Sequence, residues 1–285
     1  MVAGAVAERL RPRPRWAARW SADPRHAQIA VLSGLVAWGA FALQFGARPA
    51  CALAIGATAI AVEFLGTRWC GRRFDPRSPC ISALSLVLLL RADGWVWGAV
   101  AAGIAVGSKF VIRRGGKHLF NPTNLALVVL LLATDRVWVS SGQWGSGALL
   151  AAALVAAACW VLPRARGDVT LAFVTFWAGA LVGRALWLGD PLAIARHQLA
   201  DGGLLLFAGF MISDPRTIPD TRPGRIAFAA AVAALAYWLR FARHEPDALL
   251  YALAVCALAV PWIDRLVPGR RFEWPAMPRT LVPGP

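Results

Sequence analysis

Apolar residues along this chain gather in blocks of roughly 15 to 20, the length a bilayer demands of a helix, with short polar clusters between them. The pattern predicts ten membrane spans: Gln28 to Phe45, Ala50 to Gly66, Ile81 to Leu90, Trp95 to Ile112, Pro122 to Ala133, Gly145 to Leu162, Val169 to Leu188, Gln198 to Ser213, Ile226 to Leu239 and Ala248 to Ile263. Two of them hold little apolar sequence. Ser82 to Leu90 offers roughly 14 Å of helix against a hydrocarbon core of about 30 Å, and Leu125 to Ala133 is no longer. Each therefore needs polar flanks buried in protein, which makes it a broken or half-buried helix. Composition agrees, since 58% of the 285 residues are hydrophobic and mean hydropathy is +0.56. The expected fold class is an all-α polytopic membrane protein.

The net charge of +15 would suit a nucleic-acid binder if it lay on one soluble face, but the 30 Lys and Arg sit in clusters between apolar blocks. Membrane orientation explains them, so no nucleic-acid partner is expected. With ten spans and a cytoplasmic N-terminus, 23 of the 30 cations fall inside, and only Arg48, Arg91, Arg136, Arg184, Arg196, Arg240 and Arg243 fall outside. Dropping any one span scrambles that division for everything after it. The expected organisation is a basic cytoplasmic arm over residues 1–27, a ten-helix domain over 28–265 and a cytoplasmic tail over 266–285. The location expected is the inner, cytoplasmic membrane, with both termini inside and membrane lipid as a partner. Tryptophans flank most spans as interfacial belts.

Spans three to five and eight to ten share an order. Each set has a short block, a charged break, a full span, a basic loop with a histidine and a proline-started span. Five spans separate the copies, an odd number, so they insert in opposite directions. The expectation is two inverted five-helix repeats, about 28–133 and 145–263, with the binding site at the broken segments. The most polar break is Gly115-Gly116-Lys117-His118-Leu119-Phe120-Asn121-Pro122. Asn121 precedes a proline and is pushed from the α region, while Pro122 suits the first position of a new helix. Such a break beside hydrocarbon needs cover from protein or a water-filled cavity. Its partner by chemistry is Ser213-Asp214-Pro215-Arg216-Thr217, on the same predicted side.

The segments Gly-Gly-Lys-His-Leu-Phe-Asn-Pro (115–122) and Phe-Met-Ile-Ser-Asp-Pro-Arg-Thr (210–217) resemble the two signature turns of the RnfD/NqrB family. These are integral membrane subunits of the Rnf and sodium-pumping NADH:quinone oxidoreductase complexes. Counterparts continue in order at Ser82-Ala83-Leu84, Gly224-Arg225, Tyr237-Trp238-Leu239-Arg240 and Val260-Pro261-Trp262-Ile263-Asp264, so the likeness runs from about Pro79 to Arg265. The resemblance implies a ten-helix, two-repeat fold, flavin-based electron transfer linked to ion movement, and other membrane electron-transport subunits as partners. One feature departs from the family, which carries FMN as a phosphoester on a threonine in a long external loop between the fifth and sixth spans. Here that loop runs only from Thr134 to Gly145 and has no Ala-Thr, with Ser140 and Ser141 as ordinary turn residues. Covalent FMN is therefore not expected. The family also holds a non-covalent riboflavin near the cytoplasmic side, so the cofactor expected is a non-covalent flavin, riboflavin or FMN.

Gly115 and Gly116 let backbone N–H groups approach an isoalloxazine or phosphate, with Lys117 and His118 near for negative charge, though the same residues also read as a plain basic loop. Asn121 and Asp214 either meet a flavin's pyrimidine edge, hold a cation through oxygens, or cap helices beside the prolines. Phe120, Pro122, Ser213 and Thr217 complete the expected cofactor site. For the ion pathway the candidates are Asp201 and Glu63, the latter able to pair with Lys109; Lys109 and Arg184 also read as snorkelling cations. The histidines lie in loops or at span ends, which argues against haem, and no cysteine spacing suits a metal. With no NAD fingerprint or iron–sulfur motif, no complete redox active site is expected in this chain. The rival expectation is a small-molecule or flavin exporter on the same fold, since the short form is similar to free-standing relatives in enediyne biosynthetic clusters.

Overall fold

Proline and short polar caps set most helix starts in this chain, and the computed structural model describes residues 23–42, 48–139 and 166–272. Within them lie α1 (Pro24–Phe41), α2 (Pro49–Trp69), α3 (Arg77–Leu89), α4 (Trp95–Val111) and α5 (Pro122–Ala133). There follow α6 (Asp168–Leu188), α7 (Leu192–Leu199) and α8 (Gly202–Leu206), which runs into a π turn at Phe207–Met211, then α9 (Arg222–Ala242), α10 (Ala248–Ala257) and α11 (Val260–Leu266). Each predicted span other than the sixth is mostly helical over its described residues. The sixth, Gly145 to Leu162, lies outside them, as do most of the basic arm, Ser140, Ser141 and the end of the tail. By length and apolarity α2, α6 and α9 each suffice to cross a membrane, and α10 with α11, bent by 45°, forms a fourth candidate. The fold is that of a multi-pass helical membrane protein.

Three boundaries differ from expectation. The first helix starts at Pro24, because Asp23 caps it by accepting the Arg25 N–H at 3.0 Å, so residues 24–27 belong to the helix and not to the arm. The eighth span is not continuous: α7 ends before Asp201, which starts α8 afresh as its N-cap. The tenth bends between Ala257 and Val260, just before Pro261 in the first turn of α11. Two short ladders also interrupt the helices. β1 (Leu90–Ala92) prolongs α3 and pairs antiparallel with β4 (Val137–Val139), which lies beyond α5. β2 (Arg113–Arg114) and β3 (Lys117–His118) form a hairpin that turns at Gly115 and Gly116, with φ of 56° and 82°. That left-handed geometry is why glycine stands at both positions.

Small residues allow close helix packing. Gly98, Ala101, Ala102 and Ala105 of α4 are buried on the side that meets α2, which presents Ile55 and Ala59. Gly98 lies against Cys51 near the starts of the two helices, and the Phe110 ring covers Gly66 near their ends, so α2 and α4 run parallel. In the other half, Arg225 Nε donates to both Asp168 carboxylate oxygens at 2.8 and 2.9 Å, joining the first turns of α9 and α6, which therefore also run parallel. Lys117, just beyond α4, lies 3.2 Å from Asp220, just before α9. The two parallel pairs thus run in opposite directions. α5 and α10 meet between them. Leu53, Leu171, Leu186 and Trp187 point outward on α2 and α6 at 67 to 88% exposure, an arrangement that suits lipid and not water.

The packing separates two otherwise similar glycines. A Cβ on Gly98 would lie 2.6 Å from Cys51 Sγ, whereas one on Gly103 meets nothing within 4 Å. Gly98→Ala is expected to destabilise the protein by about 1–3 kcal/mol, and Gly103→Ala to be neutral or stabilising by up to about 1 kcal/mol. Melting of both variants in one detergent checks the contrast.

Candidate functional site

The break before α5 is organised by one side chain. Asn121 Oδ1 accepts the Asn124 N–H at 3.0 Å and so caps α5, while its Nδ2 donates to the carbonyl of Met211, the last residue of the π turn, at 3.2 Å. Asn124 Nδ2 in turn donates to the Leu250 carbonyl of α10 at 3.1 Å. The π turn re-aims its carbonyls, and side chains meet them: Thr170 Oγ1 donates to Ala208 at 2.7 Å and Ser213 Oγ to Gly209 at 2.6 Å. Asp214 accepts the Arg216 N–H at 3.0 Å, and Thr217 Oγ1 donates to the Asp214 carbonyl at 3.2 Å. The two polar turns, far apart in sequence, are thus hydrogen-bonded to each other.

Between them lies a polar cavity of about 90 Å³, lined among others by Ser82, Lys109, His118, Asn121, Ser213 and Asp214. At about 30 Å³ each, that is room for roughly three waters. Lys109 Nζ donates to Ser78 Oγ at 2.9 Å and stands 3.6 Å from the Glu63 carboxylate. Burial pushes the His118 imidazole down to about 3, reinforced by the charges of Arg216, Lys109, Arg113 and Arg72, so it is neutral at pH 7. Its Nδ1 is buried with no hydrogen-bond partner among the described residues. Burial raises Asp214, and the Arg216 N–H with the charges of Arg216, Lys109 and Lys117 opposes that rise.

Of the residues expected at the cofactor site, His118, Asn121, Pro122, Ser213 and Asp214 line this cavity. Gly115, Lys117 and His118 line a second one of about 350 Å³, closed on its other side by α11 and residues 264–271. Gly116, Phe120 and Thr217 line neither. Lys117 is engaged elsewhere, since its Nζ bonds Asp264 at 2.7 Å and the Ile218 carbonyl at 2.7 Å. It clamps loops together through these contacts. Glu63 reaches the cavity through Lys109, whereas Asp201 caps α8 through the Gly203 N–H at 3.2 Å, at the opposite end of that helix from the second turn. Sequence reasoning missed Ser78, Ser82 and Ser85, which line the cavity from one face of α3. Their spacing of four and three residues was the available signal.

The first cavity is small for a flavin. Sites that enclose small cofactors measure about 300–1,000 Å³, against about 90 Å³ here. The site is water-sized, with a buried lysine, a neutral histidine and a carboxylate around it.

Fold and site together define a multi-pass membrane protein whose broken helices meet at a cavity lined by polar side chains. Residues 136–273 match the sequence model of the NQR2, RnfD, RnfE family, which includes the second turn but not the first. Similar chains include a subunit of the ion-translocating oxidoreductase complex of Marinobacter nauticus, 28% identical over 145 residues, 50% of this chain and 38% of the relative. The same subunit from Stutzerimonas stutzeri is 38% identical over 85 residues, covering 30% and 24%, and that from Escherichia coli 32% identical over 127 residues, covering 43% and 34%. Over these stretches the chain is similar to the RnfD/NqrB family, the likeness that its turns suggested, and the matched stretches span well under half of each relative's length.

Replacing Asn121 separates its two roles. Asn121→Asp keeps the capping oxygen and loses the bond to Met211, and Asn121→Ala loses both. The expected costs are about 1–3 kcal/mol for the orphaned buried carbonyl, plus about 1 kcal/mol more for the alanine variant, measured by thermal melting. His118 makes a second prediction. Its folded-state value is lowered to about 3 from 6.5, so between those values the unfolded chain binds a proton that the folded chain does not. Stability is therefore lost as pH falls below about 6.5. His118→Gln is expected to flatten the acid side of the melting profile between about pH 6.5 and 5.

Proposed function

We propose that the chain is a membrane subunit of an ion-translocating oxidoreductase complex, and that the cavity joining its two polar turns lies on the ion path. The observation that carries this reading is the Asn121 bond to Met211, which brings two broken helices to one water-sized polar space. Three further features support it. Glu63, Lys109 and Ser78 lead towards the cavity from α2, α4 and α3, and Asp214 faces it from the second turn. Ionisable groups in such surroundings are costly, and function is the usual reason they persist. The relatives matched are named as subunits of such a complex.

On this reading the two halves are inverted copies. The opposite course of the α2–α4 and α6–α9 pairs, and the meeting of α5 with α10, support that. The clustering of Lys117, Arg166, Arg225 and Arg265 near one end supports both termini on the cytoplasmic side of the inner membrane. Electron carriers belong to the partner subunits or to the interface with them. The cavity joining the two turns is small for a flavin at about 90 Å³, so a flavin bound non-covalently by this chain would lie outside it.

Two measurements test the proposal. Electron-transport-driven ion uptake into inverted vesicles is expected to be largely lost on deletion of the chain and strongly reduced by Asp214→Asn, with Thr217→Val near wild type. Uptake that survives deletion contradicts the reading. The visible spectrum of the detergent-purified chain is expected to lack a flavin band. A flavin that co-purifies and is released by denaturation would restore a cofactor role to the turns, and substrate flux without any redox partner would favour a transporter.

A further inference from the structure

We propose that the larger cavity, between the β2–β3 hairpin and α11, is the headgroup site of one anionic phospholipid, its phosphate held by Arg114, Arg265 and Arg271. The inference rests on the chain lying in a bilayer and is independent of the ion-path reading. At about 350 Å³ the cavity is large enough for a phosphodiester and its glycerol.

Its acidic groups are already used. Asp264 accepts from Lys117 at 2.7 Å and from the Asp220 N–H at 2.8 Å. Asp220 lies 3.2 Å from Lys117 and 3.3 Å from Arg166. Arg114, Arg265 and Arg271 line the same cavity, and none forms an ion pair with a carboxylate among the described residues. They are held in other ways. The Arg265 guanidinium sits over the Trp262 ring at 5.1 Å. Arg271 lies across the left-handed glycine turn, where a Cβ on Gly116 would come within 3.0 Å of its guanidinium and one on Gly115 within 3.5 Å. Arginine guanidinium groups suit phosphate oxygens, which they meet with paired N–H donors. A phosphate would supply the negative charge that this cluster lacks.

Exposed apolar residues near the arginines in sequence decide which phosphate. Val111, three residues before Arg114, and Trp262, Leu266 and Val267, within three residues of Arg265, expose 73, 59, 83 and 42% of their surface. A free phosphate would leave that apolar surface in water, while a diacyl lipid covers it as its headgroup fills the cavity. Basic pockets on the cytoplasmic side of helical membrane proteins are places where anionic headgroups collect.

Native mass spectrometry of the full chain, released from detergent with equal phosphatidylglycerol and phosphatidylcholine, tests this. One retained phosphatidylglycerol is expected on the wild type, falling by about ten-fold or more in Arg114→Gln/Arg271→Gln. Arg72→Gln/Arg73→Gln, which removes the same charge outside the cavity, is expected to keep it. Equal retention of phosphatidylcholine, or an equal loss in both pairs, overturns the proposal in favour of general surface charge. Displacement by millimolar inorganic phosphate overturns the lipid assignment in favour of a free-anion site. If the first pair does not fold, the wild type decides. Its melting temperature is then expected to rise with phosphatidylglycerol and not with phosphatidylcholine or inorganic phosphate, and a rise equal in all three overturns the site.

Discussion

A helix broken within an apolar domain leaves backbone groups that lipid cannot satisfy, and this chain answers that constraint with side-chain amides and hydroxyls. Asn121 caps α5 and bonds Met211; Asn124 bonds Leu250; Thr170 and Ser213 bond the carbonyls of the π turn. Each of these polar groups is buried. Together they fix where the broken helices meet. The cavity follows from that meeting, because a turn that cannot pack flush leaves a small polar space between α3 and the two turns.

Charge is organised around the same end. Lys117 ties the hairpin to Asp220 and Asp264, Arg166 reaches Asp220 and the Arg270 carbonyl, and Arg225 joins α9 to α6 through Asp168. On the other side of the cavity, Asp23, Arg25, Asp75 and Arg77 form a second ion cluster that holds the starts of α1 and α3 together. These partly buried pairs serve geometry more than stability, since desolvation offsets much of their attraction. They position the turns, while Lys109 and Asp214 face the cavity between them.

Much of the helical layout was legible because its signals are local. The limits of α5 match the pattern, Pro122 to Ala133, since Asn-Pro starts it and Thr134 ends it in extended backbone. α9 begins four residues earlier than its apolar block because Thr221 caps it, accepting the Gly224 N–H. The break at Asp201 was less visible, because the apolar run hides a capping carboxylate followed by two glycines. The π turn has no local signal at all and depends on Thr170 from another helix. That the two polar turns belong together could be read from their chemistry. That Lys117 is spent on Asp264 could not, because the two are 147 residues apart in sequence and only the packed structure joins them.

On the proposed reading the two turns share one water-sized space that opens to the cytoplasmic side. Single cysteines at Ser82 and Ser213, in a chain whose five native cysteines are replaced, test it most directly. A membrane-impermeant thiol reagent is expected to label both in inverted vesicles and neither in intact cells, and modification of Ser213→Cys should protect Ser82→Cys in the double variant. Labelling from the outer side, or independent reaction at the two positions, would contradict the account.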